Sequence, residues 1–300
     1  MTNRQTISYL TQRFAEAGIR PVTRNGQNFL VDLNLVELLV ESAALDQRDV
    51  VLEVGTGTGS LTAMMAKLAG HVVTVEIDAQ LQQLAAEELV HLGNVTMIQR
   101  DALRNKNQVA DEVLAAIREQ LAEFPAARFK LAANLPYNIA TPLISNLLTL
   151  DDPPFSMTVT IQLELARRIT ARPRSKDYSA LSIWVQSQCK TEIVRELPPD
   201  VFWPRPKVRS AIIRITPKEA LRSRIRDREF FHQHVRAMFF HRRKFLRSCI
   251  LSGYKGRLTK PQTDEIMEAM ELAPDARSEQ LSVEQMLDLS NRIQDVLDEG

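Results

Sequence analysis

Hydrophobic and polar positions alternate along the first two-thirds of the chain in short blocks of two kinds. Asp49-Val-Val-Leu-Glu-Val54 is a compact apolar run, and the glycine-rich Gly55–Gly59 turns it into a stretch with helical spacing that ends near Gly70. The pattern then repeats. His71–Asp78 predicts a strand and 79–93 a helix; 95–103 predicts a strand and 108–124 a helix. Arg128–Ala133 is a fourth strand, 156–169 holds a strand and then a helix, and 181–197 and 208–217 add helix or strand. Residues 34–45 have helical spacing, and residues up to about 27 form a polar, partly helical N-terminal extension. Strands that alternate with helices predict an α/β fold built on a mostly parallel, doubly wound sheet. Past Pro217 the periodicity is helical only, so a boundary is expected there, between a domain over 1–217 and a smaller all-helical domain over 218–300.

Composition narrows the class. The chain has 300 residues, 44% hydrophobic and 25% charged, enough for a sizeable core. Its two cysteines, Cys189 and Cys249, lack metal or disulfide spacing, so no metal site is expected and a reducing cytoplasm is. The polar N-terminus does not read as a signal peptide, and no apolar run approaches a membrane span. A net charge of +1 conceals a polarity: residues 222–260 hold twelve Lys/Arg against two Asp/Glu, and residues 261–300 hold eleven Asp/Glu against two Arg. That asymmetry suggests a basic surface for a polyanion. A solvated helical face beside an acidic tail is the alternative.

In an open sheet of this kind ligands bind beyond the carboxyl ends of the strands. Four consecutive strand ends carry polar or glycine residues: Gly55-Thr-Gly57-Thr-Gly59, Glu76-Ile-Asp78, Asp101, and Asn134-Leu135-Pro136-Tyr137. Glycines at a strand–helix turn let a ligand approach the backbone. Glu76 stands where a carboxylate can accept from two ribose hydroxyls. Asp101 could accept from an adenine amino group or cap the next turn. These signals suit an adenosine-bearing cofactor without choosing between NAD and S-adenosyl-L-methionine. "NLPY" chooses. Adenine N6 is a poor nucleophile because its lone pair is delocalised into the ring. The Asn134 side-chain oxygen and the Leu135 carbonyl are adjacent acceptors for the two N6–H groups, Pro136 fixes their turn, and Tyr137 offers a flat face to an exposed base. Such a site needs no metal, since a sulfonium is already a strong electrophile.

The segments GQNFL (26–30), EVGTGTGSLT (53–62), VEID (75–78), RDAL (100–103), NLPYNIATP (134–142), DVFWPRPKVRSAIIRI (200–215) and FFHRRKFLRS (239–248) together resemble the KsgA family. These are the dimethyladenosine transferases of small-subunit ribosomal RNA. The likeness runs in order from about residue 20 to the C-terminus. It implies a Rossmann-like class I methyltransferase sheet over 1–217, with 1–27 as an extension, and an RNA-contacting helical domain over 218–300. It implies S-adenosyl-L-methionine held by Asn28, Leu30, Gly55, Gly57, Glu76, Asp101 and Asn134. The target base would meet Asn134, Leu135, Pro136 and Tyr137, with Phe202 as the opposite wall. A hydrophobic plug is the alternative for Phe202 and Trp203. Arg242, Arg243, Lys244 and Arg247 would contact RNA. The implied product is a pair of dimethylated adenines in the 3′-terminal hairpin of small-subunit rRNA, within an immature 30S particle, made by a monomer with no membrane association.

Three features depart from that pattern. Leu163 stands in "QLEL" where the family usually has lysine, the 104–128 segment is longer than usual, and the usual FNQRRK appears as FFHRRK. Two other readings share the fold: a large-subunit rRNA methyltransferase of the erythromycin-resistance type, and a non-catalytic RNA-binding assembly factor.

Overall fold

The structure is a computed structural model that describes residues 7–19, 27–124, 126–241 and 243–299. Its strands are β1 (Phe29–Leu30), β2 (Asp49–Val54), β3 (His71–Glu76), β4 (Val95–Gln99), β5 (Leu103–Asn105), β6 (Gln108–Val109), β7 (Arg128–Asn134), β8 (Ser156–Gln162), β9 (Cys189–Leu197), β10 (Phe202–Trp203) and β11 (Ser210–Pro217). Seven of them form one sheet in the order β4-β3-β2-β7-β8-β11-β9. The pairs β2/β3, β3/β4, β2/β7 and β7/β8 are parallel, whereas β11 runs antiparallel to β8. The expected mixed α/β architecture with a mostly parallel sheet is therefore observed. Every residue of β2 is buried, as a strand covered on both faces requires.

The order reverses between β2 and β7, and a buried charge cluster fixes that junction. Asp49 opens β2 fully buried, and Lys130 of β7 is 3% exposed. The Lys130 ammonium lies 2.9 Å from the Asp49 carboxylate and donates to the Ala43 and Ala44 carbonyls at 3.2 and 2.7 Å. Arg128 adds a bond to Asp49 at 2.8 Å. Buried charges persist only when paired and hydrogen-bonded this fully. The same lysine satisfies carbonyls at the end of the helix Leu33–Ala43, which ties that helix to the sheet.

The chain divides into two compact units: residues 1–166 with 192–216, and residues 167–191 with 217–300. One change of unit falls at Pro217, and the segment 167–191 groups with the C-terminal helices. Its apolar side chains pack among the C-terminal helices. Trp184 is 2% exposed, with its ring 4.4 Å from His232 and 6.4 Å from Phe231. The buried Tyr178 hydroxyl donates to the Leu281 carbonyl at 3.0 Å. The sequence pattern could not reveal this, because an amphipathic helix shows that it has a partner and not which one.

Other expected elements occur with shifted ends. The helix Ala79–Leu89 is capped by the Asp78 carboxylate, which accepts from the Gln80 and Leu81 N–H groups. The long 104–128 segment contains the β5/β6 hairpin and the helix Asp111–Glu123. Leu163 is 6% exposed, a setting that suits leucine better than lysine. Among the described residues no helix is long and apolar enough to cross a membrane. Tyr178→Phe should lower the unfolding free energy by about 1–3 kcal/mol, since the buried Leu281 carbonyl loses its donor; urea denaturation followed by tryptophan fluorescence measures it.

Candidate active site

The four strand ends converge in the first unit. At the C-terminal end of β2 the chain turns through Gly55, Gly57 and Gly59, all at positive φ, into the helix Ser60–Ala66. All three glycines face close neighbours. A Cβ on Gly55 (φ +88°) would stand 3.3 Å from Cδ of Pro136, and one on Gly57 (φ +57°) would stand 3.1 Å from the Phe29 ring. The loop is thus packed closely between the end of β7 and the β1 segment, where a side chain would be crowded.

Two concavities flank the loop. One, of about 310 Å³, is lined by Gly55, Glu76, Ile77, Asp78, Asp101 and Pro136, among others. The Glu76 carboxylate is 6% exposed and accepts from the Gly57 and Asp78 N–H groups, both at 3.0 Å. Burial pushes its pKa above the ordinary carboxylate value, while those N–H bonds pull it back. Asp101 caps the next turn by accepting from Leu103 N–H at 2.9 Å, and the same residue lines the concavity, so both roles considered for it are compatible. Ile77 is 59% exposed on the same wall. It was not singled out in the sequence; an isolated apolar residue between two acids in "VEID" was the available signal.

The second concavity, of about 50 Å³, is lined by Phe29, Leu30, Glu53, the glycine loop and Asn134. Asn134 ends β7 opposite Thr160 of β8. Its side-chain amide donates to the Asn28 carbonyl at 2.8 Å. A carbonyl can only accept, so the amide nitrogen must face Asn28 and the amide oxygen is turned the other way. Leu135 is buried and anchors the turn through its N–H, which donates to the Thr160 carbonyl at 3.1 Å. Pro136 has no N–H and cannot extend the ladder. Half-buried Tyr137 is held by a 2.6 Å hydrogen bond between its hydroxyl and that of Ser210. Burial raises the Tyr137 pKa.

Beneath the loop lies an acid the sequence reading passed over. Glu53 is 1% exposed and accepts from the hydroxyls of Thr62 and Thr74; the Thr74 hydroxyl also meets that of Thr56 at 2.6 Å. Burial pushes its pKa up to about 8 against the pull of the two threonines, so it is mostly protonated at neutral pH. An acid inside an otherwise apolar strand, "DVVLEV", was the legible signal.

Two expected residues are placed differently. Phe202 is 1% exposed and packs with Leu30, Val36, Leu39, Leu197 and Ile212. As it stands it is a core plug, not a wall open to a base, because β10 pairs with β1 and turns its ring inward. Arg247 is engaged by Asp264 through two bonds, at 2.5 and 2.8 Å, so a phosphate there would meet a guanidinium already partly neutralised. In the second unit Arg243 and Lys244 are exposed, while Arg242 lies outside the described residues.

The donor set fits S-adenosyl-L-methionine. A buried acid faces the larger concavity where a ribose diol would sit, the glycine cradle that a Cβ would crowd lies beside it, and Asn134 lines the smaller concavity. The raised pKa of Glu53 makes a prediction. Its neutral form is favoured by folding, so its contribution to stability is full below about pH 4.5 and is lost as pH rises through about 8. Glu53→Gln, uncharged at every pH, should show a flatter stability profile between those values; thermal melts across the range measure the difference.

The comparisons with known proteins agree with this geometry. Residues 21–295 match the family described as ribosomal RNA adenine dimethylase. A ribosomal RNA small subunit methyltransferase A from Clostridium botulinum is 36% identical over 91% of this chain and 94% of its own. One from Geobacillus thermodenitrificans is 37% identical over 89% of each. Among solved structures, a dimethyladenosine transferase from Plasmodium falciparum superposes with a TM-score of 0.71 at 24% identity, covering 86% of this chain and 94% of that one. The 23S rRNA methyltransferase ErmE superposes at 0.61 and 24% identity, covering 89% and 99%, so the fold alone does not separate the two rRNA targets. The sequence match shows the family: the chain belongs to the ribosomal RNA adenine dimethylase family.

Proposed function

We propose that this chain transfers methyl groups from S-adenosyl-L-methionine to N6 of two adjacent adenines in the 3′-terminal hairpin of small-subunit rRNA. The observation that carries the residue assignment is the orientation of Asn134. Its amide nitrogen is committed to the Asn28 carbonyl, which leaves the oxygen as a fixed acceptor. The relatives' printed names supply the small ribosomal subunit as the substrate. The reaction takes place in the cytoplasm on an immature 30S particle, with the enzyme acting as a monomer.

When bound, S-adenosyl-L-methionine supplies an electrophilic methyl group. Glu76 holds the ribose diol, Asp101 accepts from the adenine amino group, and Ile77 gives that ring an apolar face. Gly55 and Gly57 let the cofactor lie against the backbone, and Leu30 closes the methionine end. On the substrate side, the Asn134 oxygen and the Leu135 carbonyl accept the two N6–H bonds and draw the nitrogen toward tetrahedral geometry. Tyr137, its ring pinned through Ser210, stacks on the extruded base. Because Phe202 is buried, the second wall of that pocket is not assigned to it. The chain's work is positioning and electrostatic preorganisation, with no covalent intermediate. Dimethylation requires the singly methylated nitrogen to return with its remaining hydrogen toward an acceptor, so the pocket accommodates a methyl where the other hydrogen pointed. Arg243 and Lys244, exposed on the second unit, meet phosphate.

Glu76→Ala should weaken S-adenosyl-L-methionine binding by roughly 1.5–3 kcal/mol, the worth of hydrogen bonds to a charged acceptor; unchanged affinity in calorimetry would remove the ribose role. Asn134→Ala should slow single-turnover methyl transfer to undermethylated small subunits by about 10²–10³, the usual cost of one preorganised partner. Its RNA affinity should barely change, because phosphate contacts dominate that affinity. Mass spectrometry of the product adenosines tests the activity itself. Dimethyladenosine in small-subunit RNA supports the assignment, and product only in large-subunit RNA would favour the erythromycin-resistance type.

A further inference from the structure

The second unit displays two large apolar rings where solvent should disfavour them. Phe240, the last residue of the helix Arg228–Phe240, is 79% exposed, and Phe245 is 47% exposed. Between them run His241, Arg242, Arg243 and Lys244, and the Lys244 N–H donates to the His241 carbonyl at 3.0 Å, so the segment is a turn. The rings are not left to rotate freely. His241 sets its edge against Phe240, with centroids 4.8 Å apart and planes at 82°. The Arg277 guanidinium lies 5.8 Å from the centre of the Phe245 ring. Arg243 and Lys244 are exposed, and among the described residues neither forms an ion pair.

We propose that this turn is a stacking platform for an unpaired base of ribosomal RNA outside the catalytic pocket, with Phe240 as the stacking face and Arg243 and Lys244 on the flanking phosphates. The inference rests on the RNA-methyltransferase reading above and adds a second base contact to it. Charge selects the occupant. An apolar patch meant for a protein partner is commonly depleted of charge at its centre, whereas exposed aromatics interleaved with free cations match the requirements of single-stranded RNA. Stacking accepts any base, so the platform contributes affinity and register without reading sequence.

The test measures binding to undermethylated small ribosomal subunits as a function of salt. Phe240→Ala should weaken binding by about 5- to 150-fold, the range expected for losing one stacked base. Its salt slope should stay that of wild type, and its melting temperature should be unchanged because the ring is exposed. Phe240→Trp should retain affinity and Phe240→Leu should not. Lys244→Gln should instead lower the salt slope by about one. Wild-type affinity for Phe240→Ala would overturn the inference. Rescue by leucine equal to that by tryptophan would do the same, since it would mean apolar docking on a protein surface. If the wild-type enzyme yields no dimethyladenosine in these subunits, the activity reading fails by itself. If it does and Phe240→Ala binds normally, only the platform fails.

Discussion

A side chain at Gly55 would be strained twice over, by a φ of +88° and by a Cβ only 3.3 Å from Cδ of Pro136. The site depends on that close approach. β2 and β7 are neighbouring parallel strands at the point where the sheet order reverses, and the loops leaving them must separate without losing contact. Glycine on one side and proline on the other solve this together. One supplies a positive φ and no bulk; the other supplies rigidity and no N–H to satisfy. The contact also sets the geometry between the cofactor cradle and the proposed acceptors, since Gly55 belongs to the first and Pro136 follows the second at once. A methyl transfer tolerates little error in the line from donor to acceptor. It is better served by two packed strand ends than by two free loops.

Beneath that contact the protein uses hydroxyls where a charge would be costly. Glu53 is enclosed, and its neighbour Glu76 is also buried. Two ionised carboxylates so placed would repel each other and lack solvent. Three threonines offer the alternative: Thr62 and Thr74 donate to Glu53, Thr56 donates in turn to the Thr74 hydroxyl, and Glu53 stays mostly neutral at neutral pH. Burial raises the pKa of Glu76 as well, and there two backbone N–H groups oppose the rise. The two buried acids therefore stand in different settings: Glu53 is enclosed among hydroxyls beneath the loop, and Glu76, proposed to hold a ligand, lines the larger concavity. Separate environments assign separate roles to identical groups.

These devices were unequally legible in the sequence. The sheet, its glycine turn and the four polar strand ends could be read because each leaves a local mark: an apolar run, a period of 3.6, a proline that stops a strand. The helix Ala140–Leu147 went unassigned, since "NIATP" with a proline in its first turn resembles a loop. The β5/β6 hairpin lay inside a stretch read partly as helix. The grouping of 167–191 with the C-terminal helices, the inward turn of Phe202 and the Arg247–Asp264 pair could not be read at all. Each depends on which distant residue lies alongside, and a polar or apolar pattern is silent on that. Glu53 is the instructive case, because the acid in an all-buried strand was visible and its partners were not.

The same limit applies to charge. The contrast between 222–260 and 261–300 suggested a broad cationic face, yet within the second unit the two halves partly cancel. Arg224 approaches Glu284 at 3.9 Å, Arg226 is paired with Asp295, and Arg247 is held by Asp264. Exposed pairs of this kind add at most about 1 kcal/mol of stability. Their larger consequence is subtractive: they occupy part of the positive charge of 222–260, while Arg243 and Lys244 stay exposed beside Phe240 and Phe245. A broad basic face would hold any polyanion and release it slowly. The proposed platform, a small cationic turn beside an exposed ring, would favour sites where phosphate and an unstacked base occur together, and so folded RNA with accessible loops over duplex.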